Sequence, residues 1–197
     1  MTNLSFQSQN CDITLAEGLE EYRAYLQANG KKQLVDAPGS TVIRDHDATH
    51  VMFGLDTSIE QESMLDSWVF LGTKWKLKEL LAYNKLPEIK QLYKDFWHDP
   101  GYFKLFLTTI RLLPIKLKIR KRAKQMNKKW PFVSPDSLMD QKVCDLREEF
   151  GIKILAPEER MIKKPLIWSG TITSYIISEL HSNLLLYLHQ LLEGCPI

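Results

Sequence analysis

The chain has 197 residues, 44% of them hydrophobic and 25% charged, with a net charge of +2. That length supplies a full hydrophobic core for one domain, and the composition excludes a disordered or fibrous chain. The near-neutral balance excludes a polycation whose whole surface coats nucleic acid.

Residues 1–12 read as a polar tail. They hold no Lys or Arg, which excludes a signal or transit peptide. From residue 13 to 29 the apolar positions Leu15, Leu19, Tyr22 and Tyr25 or Leu26 recur at helical spacing, with Gly30 as the stop. Ala37-Pro38-Gly39-Ser40 is a turn, and Ser40 or Thr41 is placed to cap the next helix. That helix runs to Phe53 and ends at Gly54. Another starts at Asp56-Thr57-Ser58, where Thr57 and Glu60 fit a capping box. It runs to about Tyr83 and is apolar at Leu65, Trp68, Val69, Leu71, Trp75, Leu80 and Leu81, as a central core helix would be.

Leu86-Pro87 opens a third long helix that stops near His98. A fourth begins at Tyr102, with a stripe at Phe103, Phe106, Ile110, Leu113 and Leu117. Pro114 should kink or break it. Ile115 to Ile119 also alternates with period two, but helical flanks favour helix. Pro131, Ser134 and Pro135 mark a loop. A short helix from Asp140 to Phe150 stops at Gly151, residues 151–168 are irregular, and a last helix spans Thr171 to Leu192. No apolar run reaches the roughly 18 residues of a transmembrane helix. Cys11, Cys144 and Cys195 form no CxxC pair and no disulfide framework, which suits a reducing compartment and a cytoplasmic protein. The expected class is an all-α, single-domain helical fold. It divides into a tail (1–12), a metal-binding domain (13–155) and a C-terminal extension (156–197) whose final helix packs on the same domain.

The chemistry concentrates at His46-Asp47-Ala48-Thr49-His50, followed after eleven residues by Glu62. His46 and His50 are i and i+4, so their imidazoles stack on one helix face and can share an ion. On one straight helix Glu62 would be roughly 18 Å beyond His50, at about 1.5 Å per residue. The break at Gly54 to Ser58 turns the chain back and lets Glu62 face the histidines. A metal-binding helix hairpin results, with ligands His46, Asp47, His50 and Glu62. Asp47 serves either as a ligand or as the group that fixes a histidine tautomer. Two histidines with carboxylate oxygen suit zinc, with manganese, iron and magnesium as alternatives. The competing reading is a buried His–Asp hydrogen-bond network that stabilises a helix pair. HExxH proteases differ, because Asp47 stands where their Glu base would be. HD-type phosphohydrolases need a further upstream His, and His46 is the first in the chain.

His46-Asp47-x-x-His50-x11-Glu62 resembles the signature of the coenzyme Q biosynthesis protein 4 family. Leu146-Arg147-Glu148-Glu149-Phe150-Gly151-Ile152 is similar to the end of that family's domain, and the resemblance covers about residues 13–155. It implies an all-helical fold and a divalent metal on His46, Asp47, His50 and Glu62. It also implies a role in ubiquinone synthesis: oxidative removal of the ring carboxylate from a polyprenyl hydroxybenzoate, a lyase-type step, and organisation of other quinone-biosynthesis proteins at a membrane. The alternative is a non-enzymatic isoprenoid-lipid-binding scaffold for those enzymes.

Arg111, Lys116, Lys118, Arg120, Lys121, Arg122, Lys124, Lys128 and Lys129 form a basic run that no Asp or Glu interrupts, which leaves the rest of the chain net acidic. With interleaved apolar residues, this composition fits a segment on an anionic membrane surface, at about 1 kcal/mol per basic residue. The expected location is thus peripheral, on the inner face of a membrane. A solvated charged face is the plain alternative. No nucleic-acid recognition motif accompanies the run, so no nucleic-acid partner is expected. The last helix, apolar at Tyr175, Ile176, Ile177, Leu180, Leu184, Leu185 and Leu188, closes the core, lines an isoprenoid pocket or pairs in a homodimer, which is the expected assembly.

Overall fold

The computed structural model describes residues 4–31, 33–36, 38–74, 102–134 and 136–162. The helices expected near 86–98 and 171–192 lie outside these residues, as do Trp75, His98, His181, His189 and Cys195.

Helix α1 (Leu15–Ala28) begins with a capping box. The Glu17 amide donates to the Thr14 hydroxyl (3.2 Å), and the Thr14 amide donates to the Glu17 carboxylate (2.7 Å). Leu15, Leu19, Tyr22 and Leu26 are its buried face, as their spacing requires. Helix α2 (Val42–Phe53) packs on α1. Neither Ser40 nor Thr41 supplies its main cap. Asp36 does, accepting from the amides of Ile43 (2.7 Å) and Arg44 (3.0 Å), so a carboxylate sits at the positive end of the helix.

Gly54 ends α2 in the left-handed region (φ 68°), its amide donating to the carbonyls of His50 and Val51. A Cβ there would stand 2.8 Å from Ile154 Cδ1. Gly54→Ala therefore combines a strained backbone with a clash. We expect a loss of about 1–3 kcal/mol, measured as a lower urea midpoint at constant m-value. An unchanged midpoint would mean that the turn does not constrain the hairpin.

Helix α3 (Ile59–Gly72) is the central element, buried on nearly all sides. The expected Thr57–Glu60 capping box does not form. Ser58 is the N-cap residue, and Asp56 caps the turn by accepting from the Ser58 amide (2.8 Å) and hydroxyl (2.7 Å). The helix also stops at Gly72 rather than near Tyr83. Thr73–Lys74 (β1) leaves in an extended conformation and pairs in parallel with Trp130–Pro131 (β2). Apolar residues recur on both sides of Thr73-Lys74, from Leu65 to Leu71 and again at Trp75, Leu80 and Leu81, which hides this boundary. The all-α expectation holds in its coarse form: the described residues are mostly helical, with this one minimal strand pair.

Helix α4 (Tyr102–Lys124) lies along α3 in the most extensive pairing among the described elements. Pro114 sits inside it without breaking it. The residue is on the solvent side, as is Ile110, whose carbonyl its missing N–H leaves over. The strand alternative over Ile115–Ile119 is excluded. Helices α5 (Val143–Phe150) and α6 (Pro157–Arg160) are the last described elements. Gly151 (φ 69°) stops α5 as its sequence predicts.

Residues 4–12 are not a polar tail. Ser5–Gln7 is a 3-10 turn, with Leu4, Phe6 and Cys11 in the core. The cause is Arg147. Its buried guanidinium donates to the carbonyls of Phe6 (2.6 Å), Ser8 (2.6 Å), Val51 (2.8 Å) and Met52 (2.9 Å). One cation thus serves the N-terminal segment and two carbonyls at the C-terminal end of α2.

Candidate metal centre

The hairpin expected from the sequence forms: α2, a turn at Gly54 to Ser58, then α3 returning beside it. His46, Asp47, His50 and Glu62 are all buried within it. The return brings Glu62 Oε2 to 3.6 Å from His50 Nε2. His50 Nδ1 lies 3.2 Å from the Leu55 carbonyl. A carbonyl only accepts, so Nδ1 carries the proton and Nε2 presents its lone pair towards Glu62. The Tyr22 ring stacks on the His50 ring at 4.6 Å and holds its plane.

The His46 and His50 rings meet edge to face at 5.0 Å. Asp47 turns sideways, with Oδ1 3.5 Å from His46 Nδ1 and Oδ2 3.4 Å from Arg23 Nε on α1. The arrangement is therefore two pairs, His50 with Glu62 and His46 with Asp47, joined by the ring contact. Among the described residues no three His, Cys, Asp or Glu side chains close on a single point. The expectation that the hairpin presents all four groups to one point is not met in this geometry, and the pull of Arg23 on Asp47 is one physical reason.

Burial pushes the His46 imidazole down to about 3. Burial, and then the neighbouring His46, push His50 well below its usual value. Both are neutral at pH 7, the form in which imidazole binds metals. Burial raises the Asp47 carboxyl to about 6, against the opposing pull of His50 and Arg23.

The donor set can be tested against a metal by distance. A hydrogen bond ends near 3.2 Å. Two ligands on one tetrahedral ion, at bonds of about 2.0–2.2 Å, stand roughly 3.4 Å apart. The 3.6 Å between His50 Nε2 and Glu62 Oε2 fits the second spacing better than the first. His46 shares a helix face with His50, at 5.0 Å between ring centroids, while Asp47 is held on Arg23 and His46.

Sequence reasoning missed Tyr22 and Arg23, which come from another helix and carry no local signal. It also missed Asp66, although Asp66 is i+4 from Glu62, and this spacing was visible.

The basic run divides by burial. Arg111, Lys118, Lys121, Lys124, Lys128 and Lys129 are exposed, and Arg120 and Arg122 are half-buried. Lys116 is 3% exposed and points into the α3–α4 seam, so it has no place on a membrane-facing surface. Lys118 and Arg122 reach Glu159 (3.2 and 2.7 Å), and Lys128 pairs with Glu149. Beside the basic residues runs an exposed apolar stripe: Leu107 (47%), Ile110 (52%), Leu113 (50%) and Leu117 (47%). No helix among the described residues is long and apolar enough to cross a membrane.

Comparison with protein-family models, with characterised proteins and with solved structures gives no match to this chain.

Proposed function

We propose that this chain is a ubiquinone-biosynthesis-like protein of the coenzyme Q biosynthesis protein 4 type. It binds a divalent metal, zinc first among the candidates, through His46, His50 and Glu62, with Asp47 holding His46 as the group that fixes its tautomer, and takes a prenylated aromatic acid at a membrane surface. The observation that carries the reading is the return of Glu62 to 3.6 Å from His50 across a turn that the signature's spacing anticipates. A divalent ion there would supply positive charge for a ring carboxylate or phenolate, and manganese or iron would add a means of oxygen activation for oxidative decarboxylation. The protein's own share is to hold two neutral imidazoles, to fix the His50 tautomer through Leu55, and to keep water from the site by burial. The test is incubation of metal-loaded protein with a polyprenyl 4-hydroxybenzoate and oxygen. Release of the ring carboxylate as CO2 supports the reading, and its absence with every candidate metal rejects the enzymatic form.

A second reading has its own observation. The metal ligands stand as two pairs rather than one closed set, which suits an isoprenoid-lipid-binding scaffold without turnover. It predicts a co-purifying isoprenoid and no CO2 release.

Membrane attachment, other quinone-biosynthesis proteins as partners and a homodimer belong to the same proposal. The α4 stripe supports the first, since exposed Leu and Ile beside exposed Lys and Arg match an in-plane amphipathic segment. Ile110→Asp with Leu113→Asp should weaken binding to phosphatidylserine-containing vesicles about tenfold or more, because two apolar insertions are lost. Sedimentation with vesicles measures it, and undiminished binding would remove α4 from the contact.

A further inference from the structure

Three consecutive residues of α1 reach three different places. Glu21 accepts from the amides of Ser5 (2.8 Å) and Phe6 (3.4 Å). Tyr22 lays its ring on His50, with centroids 4.6 Å apart and planes 26° from parallel. Arg23 holds Asp47 at 3.4 Å. A helix turns about 100° per residue, which spreads successive side chains around its axis. One turn of α1 therefore touches the N-terminal segment, the His50–Glu62 pair and the His46–Asp47 pair at once.

The N-terminal segment meets the hairpin from two sides. Phe6 is fully buried, and its ring stands 6.3 Å from that of Tyr22, tilted by 59°. Behind His50, the Arg147 guanidinium joins the Phe6 carbonyl (2.6 Å) to those of Val51 (2.8 Å) and Met52 (2.9 Å), the two residues that follow His50 in the chain. The contacts close on themselves. They run from Phe6 to Tyr22, from Tyr22 to His50, along the backbone to Arg147, and back to Phe6. At His50 the Leu55 carbonyl fixes the tautomer, while Tyr22 fixes the plane in which Nε2 points towards Glu62. The ring that orients this histidine thus has the N-terminal segment packed against it.

We infer that residues 4–9 are a strap linked to the metal centre: the docked strap presses Tyr22 onto His50 and readies it for the ion, and an ion on His50 holds the strap down. Tyr22 is the positioning residue between them. The inference rests on the metal reading above. Linkage is reciprocal, so the factor that the docked strap adds to metal affinity is the factor that bound metal adds to docking. The segment suits a part that opens by itself. Its regular structure is one three-residue 3-10 turn, and such short units open at a free energy below that of global unfolding. Loss of the metal then loosens the strap and exposes Leu4 and Phe6, which the docked strap buries.

The test is amide hydrogen exchange of the full wild-type chain with and without zinc, read at residues 5–8, together with zinc affinity by competition against a chelating dye. Exchange at these amides should be insensitive to low urea, the mark of local opening, and saturating zinc should slow it about fivefold or more. Phe6→Ala should weaken zinc binding by a similar factor, about fivefold or more. Tyr22→Leu should weaken it about 10- to 100-fold, the range for groups that orient a ligand, and Tyr22→Phe, which keeps the ring, should stay within about twofold of the wild type. Circular dichroism checks that each variant folds. A Tyr22 that only packs would lower the urea midpoint of Tyr22→Leu and leave its zinc affinity unchanged, which would overturn the inference. So would zinc that leaves exchange at residues 5–8 unaltered, or exchange there only through global unfolding. If Tyr22→Leu does not fold, the wild-type exchange and Phe6→Ala decide the matter. A wild type that binds zinc without any effect on the strap sinks this inference alone, whereas a wild type that binds no zinc sinks the functional reading with it.

Discussion

Arg147→Ala is expected to lower the stability of the chain by about 3–5 kcal/mol. Four carbonyls, of Phe6, Ser8, Val51 and Met52, lose this donor at once, and two of them end α2. Ser8 and Val51 keep longer bonds from the amides of Cys11 (3.4 Å) and Gly54 (3.3 Å), so the loss falls mainly on Phe6 and Met52. Buried acceptors left without a partner cost about 1–3 kcal/mol each before relaxation, and charged donors are the stronger kind. Burial lowers the guanidinium to about 10, so it stays protonated at pH 7 and remains a donor. Arg147→Lys would not restore the clamp, because an ammonium cannot fork to carbonyls on two segments. Urea denaturation gives the size of the loss. Hydrogen exchange should show the opening first at residues 4–9 and at the end of α2. A loss below about 1 kcal/mol would mean that water replaces the guanidinium and that the N-terminal segment is held by Phe6 packing alone.

The second large effect concerns the metal. His50→Ala should weaken zinc affinity by more than about 100-fold, beyond the 10–100-fold typical of groups that only orient a ligand. Asp47→Asn should fall within that smaller range, because its oxygens face His46 and Arg23 rather than His50. Competition against a chelating dye gives both numbers. The same site predicts linkage to folding: zinc at about 100 times its Kd should stabilise the wild type by ~2.7 kcal/mol and leave His50→Ala unaffected. Equal losses for His50→Ala and Asp47→Asn would make Asp47 a direct ligand and the pairwise geometry transient.

Much of the site was legible in the sequence. The i, i+4 histidines, the stop at Gly54 and the return of Glu62 follow from helical periodicity and a turn signal, and each is present. The stop at Gly151 and the buried face of α1 were legible for the same reason. What was not legible depends on tertiary partners. Arg147 lies in an acidic helix far from both segments it binds, and nothing local announces four carbonyl contacts. Asp36 caps α2 from beyond the turn, out of reach of an N-cap rule that looks one residue back. The end of α3 was misplaced because apolar residues recur on both sides of the polar Thr73-Lys74 step. Lys116 was grouped with its basic neighbours by composition. Position would have separated it, since it falls between Leu112 and Ile119 on the inward face while Lys118 and Lys121 do not.

The central claim is that the α2–α3 hairpin holds a divalent ion. The most direct measurement is metal content by inductively coupled plasma mass spectrometry, on dialysed wild-type chain and on His50→Ala, with circular dichroism as the control for folding. The account predicts one ion per chain in the wild type and none in the variant at equal helicity. A metal-free wild type that still folds after zinc is offered, or a variant that retains the same content, would contradict it and leave the histidines as part of a buried hydrogen-bond network.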